Sequence, residues 1–137
     1  MASGIYDRWK ANLMNKIVDM EADTIKVMLL DDSHSFTTTH NVIGDVDTNQ
    51  ISGTGYTAGG GTLAGKGVTQ GATTKFDATD LAWTTATFSA WHAVIWDDTV
   101  ATDDLCFSID FGAEKSVTAG TFTLQWHASG IVTLATV

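Results

Sequence analysis

The second half of the chain alternates between apolar and polar residues with a period of two, and this pattern limits the fold more than any other feature. In TFTLQW, Phe122, Leu124 and Trp126 fall on one side of an extended chain, and polar residues fall on the other. Such alternation is typical of antiparallel strands with one buried face. Because 121–127 and 130–135 are separated by a turn signal, we predict that they form a hairpin. Further strands are predicted at 24–31, 75–77, 81–83, 87–97 and 105–111.

The predicted strand at 87–97 is apolar on both sides. One face is assigned to Phe88, Ala90, Val94 and Trp96, and the other to Trp91, Ala93 and Ile95. Such a strand needs cover on both sides, which a second sheet with a helix, or a neighbouring subunit, would supply. We therefore expect the outer face, with Trp91 and Ile95, to contribute to oligomerisation.

The N-terminal segment has the periodicity of a helix. Its apolar residues recur at steps of four and three, at Ile5, Trp9, Leu13, Ile17 and Met20. We predict an amphipathic α-helix over residues 1–21, with Ser3 as its cap. The predicted architecture is a single, mainly β domain over residues 1–137. In it, the helix precedes a jelly-roll-like antiparallel β-sandwich at residues 24–137.

The charge balance limits the classes of ligand. Sixteen acidic residues against seven basic residues give a net charge of -9, and no basic stripe is present for a phosphate backbone. No apolar run reaches the roughly 18 residues of a membrane-spanning helix, and the N-terminus lacks the apolar core of a signal peptide. We therefore expect synthesis in the cytoplasm and no direct binding to nucleic acid or to a membrane.

Residues 53–67, which we call the glycine tract, read GTGYTAGGGTLAGKG and contain two look-alikes of phosphate-binding motifs, G-x-G-x-x-A and G-x-x-x-x-G-K. Both motifs work only between a hydrophobic strand and a helix, because backbone N–H groups and the helix terminus hold the phosphate. The residues before the tract are mostly polar and further glycines follow, so we predict neither a nucleotide nor another cofactor. Two interpretations stay open, a flexible surface loop or a segment that lies flat on a partner.

An acidic stretch just upstream begins like a calcium-binding loop. It has the pattern Asp45-x-Asp47-x-Asn49, but Gln50 and Tyr56 stand where an EF-hand needs glycine and glutamate. An EF-hand is therefore rejected. A looser calcium site at Asp45 and Asp47 stays open beside the simpler interpretation of a solvated acidic turn.

No other residue pattern indicates chemistry. The four histidines lack metal-ligand spacing, and no sequence context activates a nucleophile. We therefore predict no enzyme, no catalytic residue and no bound metal. The five tryptophans suggest carbohydrate binding, but all of them fall within apolar periodicity, which favours positions in the core or at a subunit interface.

Four sequence blocks, taken in order, resemble one family. They are DTIKVMLLD, ISGTGYTAGGGTLAGKGVTQ, FDATDLAWTTATFSAWHAVIWDD and IDFGAEKSVTAGTFTLQWHASGIVTL. Together they resemble small structural proteins of tailed bacteriophages that decorate or cement the outside of the capsid. The resemblance runs over residues 5–134 and is a match of the whole pattern rather than of a catalytic motif.

The resemblance implies a non-enzymatic virion protein on the capsid exterior. Its partners would be the major capsid protein and further copies of the same chain, with a trimer favoured over a dimer. A head-fibre or tail component with a carbohydrate-binding or adhesion role is the alternative. We expect the helix stripe at Trp9, Leu13 and Ile17, or the glycine tract with Tyr56, to contact the capsid.

Overall fold

A computed structural model of the chain describes residues 3–136 and shows two antiparallel sheets with one N-terminal helix, which confirms the predicted fold class. The ends of the predicted domain, residues 1, 2 and 137, lie outside the described residues. Two 3₁₀ turns, Ile43–Asp45 and Asp47–Asn49, lie between the second and third strands. In chain order the other elements are β1 (Gly4–Ile5), α1 (Asp7–Met14), β2 (Ile25–Leu30), β3 (Gly61–Thr62), β4 (Gly67–Thr69), β5 (Thr73–Asp77), β6 (Leu81–Asp97), β7 (Asp104–Leu124) and β8 (Val132–Ala135).

One sheet has five strands in the order β1-β7-β6-β2-β3, and the other has three in the order β4-β5-β8. The long strands β6 and β7 pair with each other, and each merges two strands that the sequence predicts as separate. The predicted hairpin of 121–127 with 130–135 is wrong, because residues 122–124 pair with β6 whereas β8 pairs with β5. Gly130, at a φ of +101°, turns the chain towards the second sheet instead.

A bulge in β6 changes which residues share a face. The register shifts between Ala90 and His92, so inward and outward positions exchange at that point. Ala90 therefore faces the same core as Ile95 and not the face of Val94. The face assignment from simple alternation is wrong beyond this bulge.

The five-stranded sheet is buried on both faces around residues 92–97 of β6 and 104–108 of β7. The first face packs against α1 and the three-stranded sheet in the main core, whose members include Trp9, Ile25, Leu29, Phe76, Ile95, Phe107 and Phe122. The second face forms a smaller second core of Tyr6, Met28, Leu30, Val46, Val94, Trp96 and Leu105, with Phe36 and Ile43 packed against it. The two-sided burial predicted for 87–97 is therefore confirmed for residues 92–97, whereas Thr87 and Ser89 are exposed. Its outer cover is residues 31–50 of the same chain, which we call the covering segment, and not a neighbouring subunit.

The helix begins later than predicted. It starts at Asp7, after β1 has already paired with β7. Ser3 does not cap it, because the Ser3 Oγ accepts a hydrogen bond from the backbone N–H of Asp110 at 2.9 Å. The first turn of the predicted helix is thus used to extend the sheet.

The helix also ends earlier than predicted, at Met14. Lys16 has a left-handed φ of 58°, and the N–H of Ile17 donates to the carbonyl of Asn12 at 2.9 Å, as in a Schellman cap. Met20 still reaches the main core from the irregular chain beyond the helix. The apolar spacing therefore continues past the helix and could not locate its end.

The glycine tract packs against the five-stranded sheet. Gly60 has a φ of +87°, and a Cβ at this position would overlap the carbonyl of Val27. The N–H of Thr87 in β6 donates to the carbonyl of Thr54 at 3.0 Å. The tract therefore covers this part of β6 on the side that faces away from β7. The flexible-loop interpretation is therefore wrong for the residues that make these contacts.

Candidate interaction surfaces

Six residues are predicted to contact partners, and the structure separates them by exposure. Trp9 and Ile95 are 2% and 0% exposed in the main core, so these two predictions are wrong for the folded chain. Ala93, which shares the predicted outer face of 87–97 with Trp91 and Ile95, also lies in the main core. Ile17 is exposed, whereas Leu13, Tyr56 and Trp91 are half-buried.

An apolar groove, which we call the helix groove, lies between α1 and the three-stranded sheet. Leu13 lines it from the helix, and Val68 of β4 and Leu134 of β8 line it from the sheet. Phe76 of the central strand β5 and Trp9 form its buried end, where the groove meets the main core. The groove thus exists because β4 and β8 extend their apolar side chains beyond the core that β5 fills.

Two of the exposed hydrophobic side chains, Val68 and Leu134, line this groove. Val68 and Leu134 are 47% and 48% exposed, and Met14 and Ile17, which follow Leu13 in the chain, are 90% and 50% exposed. Within residues 3–136, these four are the large hydrophobic residues with substantial exposure. Contiguous exposed apolar surface is uncommon on a monomer and marks interaction sites. The helix stripe predicts Leu13, whereas Val68 and Leu134 are brought to it only by the fold.

A buried carboxylate fixes α1 beside the sheet. Asp104 accepts hydrogen bonds from Arg8 Nε at 2.8 Å, Asn12 Nδ2 at 2.7 Å and Thr102 Oγ1 at 2.5 Å. Burial by itself raises the pKa of Asp104, but the three donors outweigh it and hold the pKa below its usual range. The helix wall of the groove is therefore held by a charged network as well as by packing.

The side of β7 that faces away from β6 is a second candidate surface, which we call the open edge. β1 occupies this side only opposite Phe107 and Ser108. In the part of the chain that the structure describes, no strand pairs with this side over residues 110–124. The sequence signal for this surface is the absence of any Asp, Glu, Lys or Arg from Ser116 to Thr136.

A cavity of about 520 Å³ lies beside the open edge. Lys115 is the one Asp, Glu, Lys or Arg residue among those that line it. Ser3, which continues the line of β1 along this edge, also belongs to its wall. The apolar part of the wall consists of Ile109, Phe111, Phe122, Leu124, Trp126 and Ile131.

Two histidines are buried where the covering segment meets β6. His34 and His92 are 2% and 1% exposed, and their ring centroids are 5.0 Å apart. Burial, with repulsion from His92, lowers the pKa of His34 to about 4, and burial also lowers the pKa of His92. His34 Nε2 lies 3.1 Å from Ser108 Oγ, but this buried serine–histidine contact is closed to a substrate.

Tyr56 has a structural role in the glycine tract. Its hydroxyl accepts a hydrogen bond from the N–H of Leu29 at 3.1 Å and donates to Gln50 Oε1 at 2.9 Å. Burial raises the pKa of Tyr56 to about 12. The residue thus anchors the tract to β2, and only part of its ring faces outwards.

Two of the five tryptophans are only half-buried. Trp126 is fixed by a hydrogen bond from its Nε1 to the carbonyl of Thr79 at 3.2 Å. Trp91 lines a pocket of about 420 Å³ together with Asp32 and Asp110. An aromatic ring beside carboxylate acceptors can stack on a sugar and accept hydrogen bonds from its hydroxyl groups.

Asp45 caps the first 3₁₀ turn. Its Oδ2 accepts hydrogen bonds from the N–H groups of Asn41 at 2.8 Å and Val42 at 3.1 Å, and these bonds lower its pKa. Asp47 is exposed at the start of the next turn. Among the described residues, no group of three or more His, Cys, Asp or Glu side chains is arranged to hold a metal ion.

Comparison with known proteins gives no match to a protein-family model, to a curated protein or to a solved structure.

Proposed function

We propose that this chain is a structural virion protein that binds the outside of a phage capsid through the helix groove. The observation that carries the proposal is the clustering of exposed apolar side chains around Leu13, Val68 and Leu134. The resemblance of the sequence blocks supplies the partner, the major capsid protein.

The energetic basis is apolar burial repeated over a lattice. Each Å² of apolar surface removed from water contributes about 25 cal/mol, so one groove gives a modest contact. An oligomer that engages several capsid subunits together gains from effective concentration, which strengthens overall binding without any new contact. A protein of this kind would resist capsid expansion by bridging subunits, and it needs no catalytic group.

The direct test is co-sedimentation with capsids assembled without this protein. We expect wild-type protein to sediment with the capsids, and Leu134→Asp to bind at least about tenfold more weakly, because a charge in an apolar contact costs more than 1.4 kcal/mol. Leu134 is 48% exposed, so the substitution leaves the core intact.

Thr48→Asp is the matched control, since it adds the same charge to an exposed position of the covering segment. This variant is expected to bind like the wild type. Equal binding by all three proteins would exclude the helix groove as the contact, and no binding by the wild type would exclude the function.

The alternative, an adhesion role in a head fibre or tail, rests on the pocket lined by Trp91, Asp32 and Asp110. It predicts binding to at least one glycan on an array and loss of that binding in Trp91→Ala. An array without a signal for the wild-type protein would remove this alternative.

A further inference from the structure

Most strand edges in this protein are blunted, although the chain contains no proline. β1 and β3 have two residues each. The N–H of Val68 in β4 donates to Glu21 Oε1 at 2.9 Å, and the glycine tract covers the outer edge of β6 through Thr54. Shortness, a charged side chain and a covering loop are ordinary ways to prevent unwanted strand pairing.

The open edge of β7 is protected much less. Ala119 has a left-handed φ of 46°, and the associated bulge disturbs one part of the edge. Over residues 120–124 the register with β6 shifts once, between Gly120 and Phe122, and from Phe122 to Leu124 the pairing is regular, with Trp83 opposite Phe122. This stretch presents backbone donors and acceptors that no other described strand satisfies.

The absence of charge distinguishes this edge and β8 from the rest of the surface. The chain carries a net charge of -9, so two copies repel each other over most orientations. Residues 116–136 contain no Asp, Glu, Lys or Arg, and they include both the open edge and β8. Two copies can therefore approach most closely where these uncharged segments face each other.

We propose that two copies of this chain associate by antiparallel pairing of their open edges at residues 120–124. In such a pair each edge offers the hydrogen-bonding pattern that the other requires, and a two-fold axis makes the contact self-complementary. The cavity beside the edge provides apolar surface that the second copy can cover. This assignment replaces the predicted oligomerisation through 87–97, and it does not depend on capsid binding.

The test is sedimentation velocity over a range of protein concentrations. The wild type is expected to form a species of twice the 14.6 kDa chain mass. The double variant Thr121→Asp, Thr123→Asp, which places charges on exposed positions of the edge, is expected to weaken association by at least about tenfold.

The control is Ala82→Asp, Thr84→Asp, which adds the same charge to exposed positions of β6. Ala82 lies directly opposite Thr123, so the control differs from the edge variant mainly by one strand spacing. It is expected to associate like the wild type. A monomeric wild type, a trimer, or equal loss of association in both variants would overturn the proposal.

Hydrogen exchange supplies a readout that needs no substitution. The amides of residues 120–124 are expected to exchange more slowly as the wild-type concentration rises and the dimer forms. Exchange in this stretch that is independent of concentration, while the protein associates, would place the interface elsewhere. Because capsid binding is measured with Leu134→Asp, failure of one proposal is distinguishable from failure of the other.

Discussion

Around residues 92–97 of β6 the two faces of the five-stranded sheet are both buried, but by different kinds of chain. The main core lies beneath α1, whose apolar residues are periodic in the sequence, and beneath a second sheet. The second core lies beneath the covering segment, which is polar, largely irregular and supplies Phe36, Ile43 and Val46 as its main apolar contacts. A few well-spaced hydrophobic residues are therefore enough to close a sheet face when the segment is held at both ends.

Adjacent leucines of β2 allow a direct comparison of the two faces. Leu29 lies in the main core and Leu30 in the second core, and both are 0% exposed. We expect Leu29→Ala to lower the free energy of unfolding by about 4 kcal/mol and Leu30→Ala by about 2 to 3 kcal/mol, because irregular chain relaxes into a cavity more easily. Urea unfolding measures both values. An equal or larger loss for Leu30→Ala would mean that the covering segment packs as rigidly as the second sheet.

Glycine substitutions compare the packing of the glycine tract with that of the covering segment. Gly60→Ala is expected to lower the free energy of unfolding by about 3 kcal/mol, because residue 60 has a left-handed backbone and the new Cβ would overlap the carbonyl of Val27. Gly44→Ala in the covering segment meets no atom within 4 Å and is expected to change stability by less than about 0.5 kcal/mol. Thermal unfolding of the two variants checks this difference. A substantial loss for Gly44→Ala would show that the segment has tighter constraints than its contacts indicate.

Two buried groups, His34 at the second face and Asp97 at the end of β6, are expected to make the free energy of unfolding respond to pH in opposite directions. The pKa of His34 falls from 6.5 to about 4 on folding, so the unfolded chain binds more protons and the second face loses stability as the pH falls through this range. At the end of β6, burial and the neighbouring carboxyl of Asp23 raise the pKa of Asp97 from 3.8 to about 7. The folded chain then binds more protons, and this contribution is lost as the pH rises towards 7.

Removing each group separates the two effects. When the pH is lowered from 7 to 5, the free energy of unfolding of His34→Gln is expected to rise by about 2 kcal/mol relative to that of the wild type. That of Asp97→Asn is expected to fall by about 2 kcal/mol relative to the wild type. Denaturant unfolding at both pH values gives the comparison. A change of the free energy of unfolding in the same direction for both variants, relative to the wild type, would contradict the opposite signs assigned to His34 and Asp97.

The sequence predicts local features of this fold better than pairings between distant segments. The alternation at 121–126 correctly indicates a strand with Phe122 and Leu124 inward, because inward positions follow from local periodicity. The partner of that strand lies far back in the chain, in β6, where Ala82 is opposite Thr123, and no turn signal reveals it. The bulge at Ala90 likewise reverses the faces without any change in composition.

For the candidate surfaces too, the sequence predicts local features better than contacts between distant segments. The helical spacing identifies Leu13 and Ile17, but it also selects Trp9, since periodicity alone cannot tell a residue at the rim of an interface from one beneath it. Val68 and Leu134 become neighbours only because β4 and β8 flank β5. The uncharged run from Ser116 to Thr136 is visible in the sequence, but its meaning depends on knowing that β7 has an unpaired side.

The most direct test of the proposed docking mode is hydrogen exchange of the protein when it is free and when it is bound to capsids assembled without it. Surface that the capsid covers exchanges more slowly, so the change in each peptide reports the contact. We expect protection at residues 13–17, 67–69 and 132–135, which flank the helix groove, and unchanged exchange at residues 31–50. Protection of the covering segment together with unchanged exchange at the groove would contradict the account.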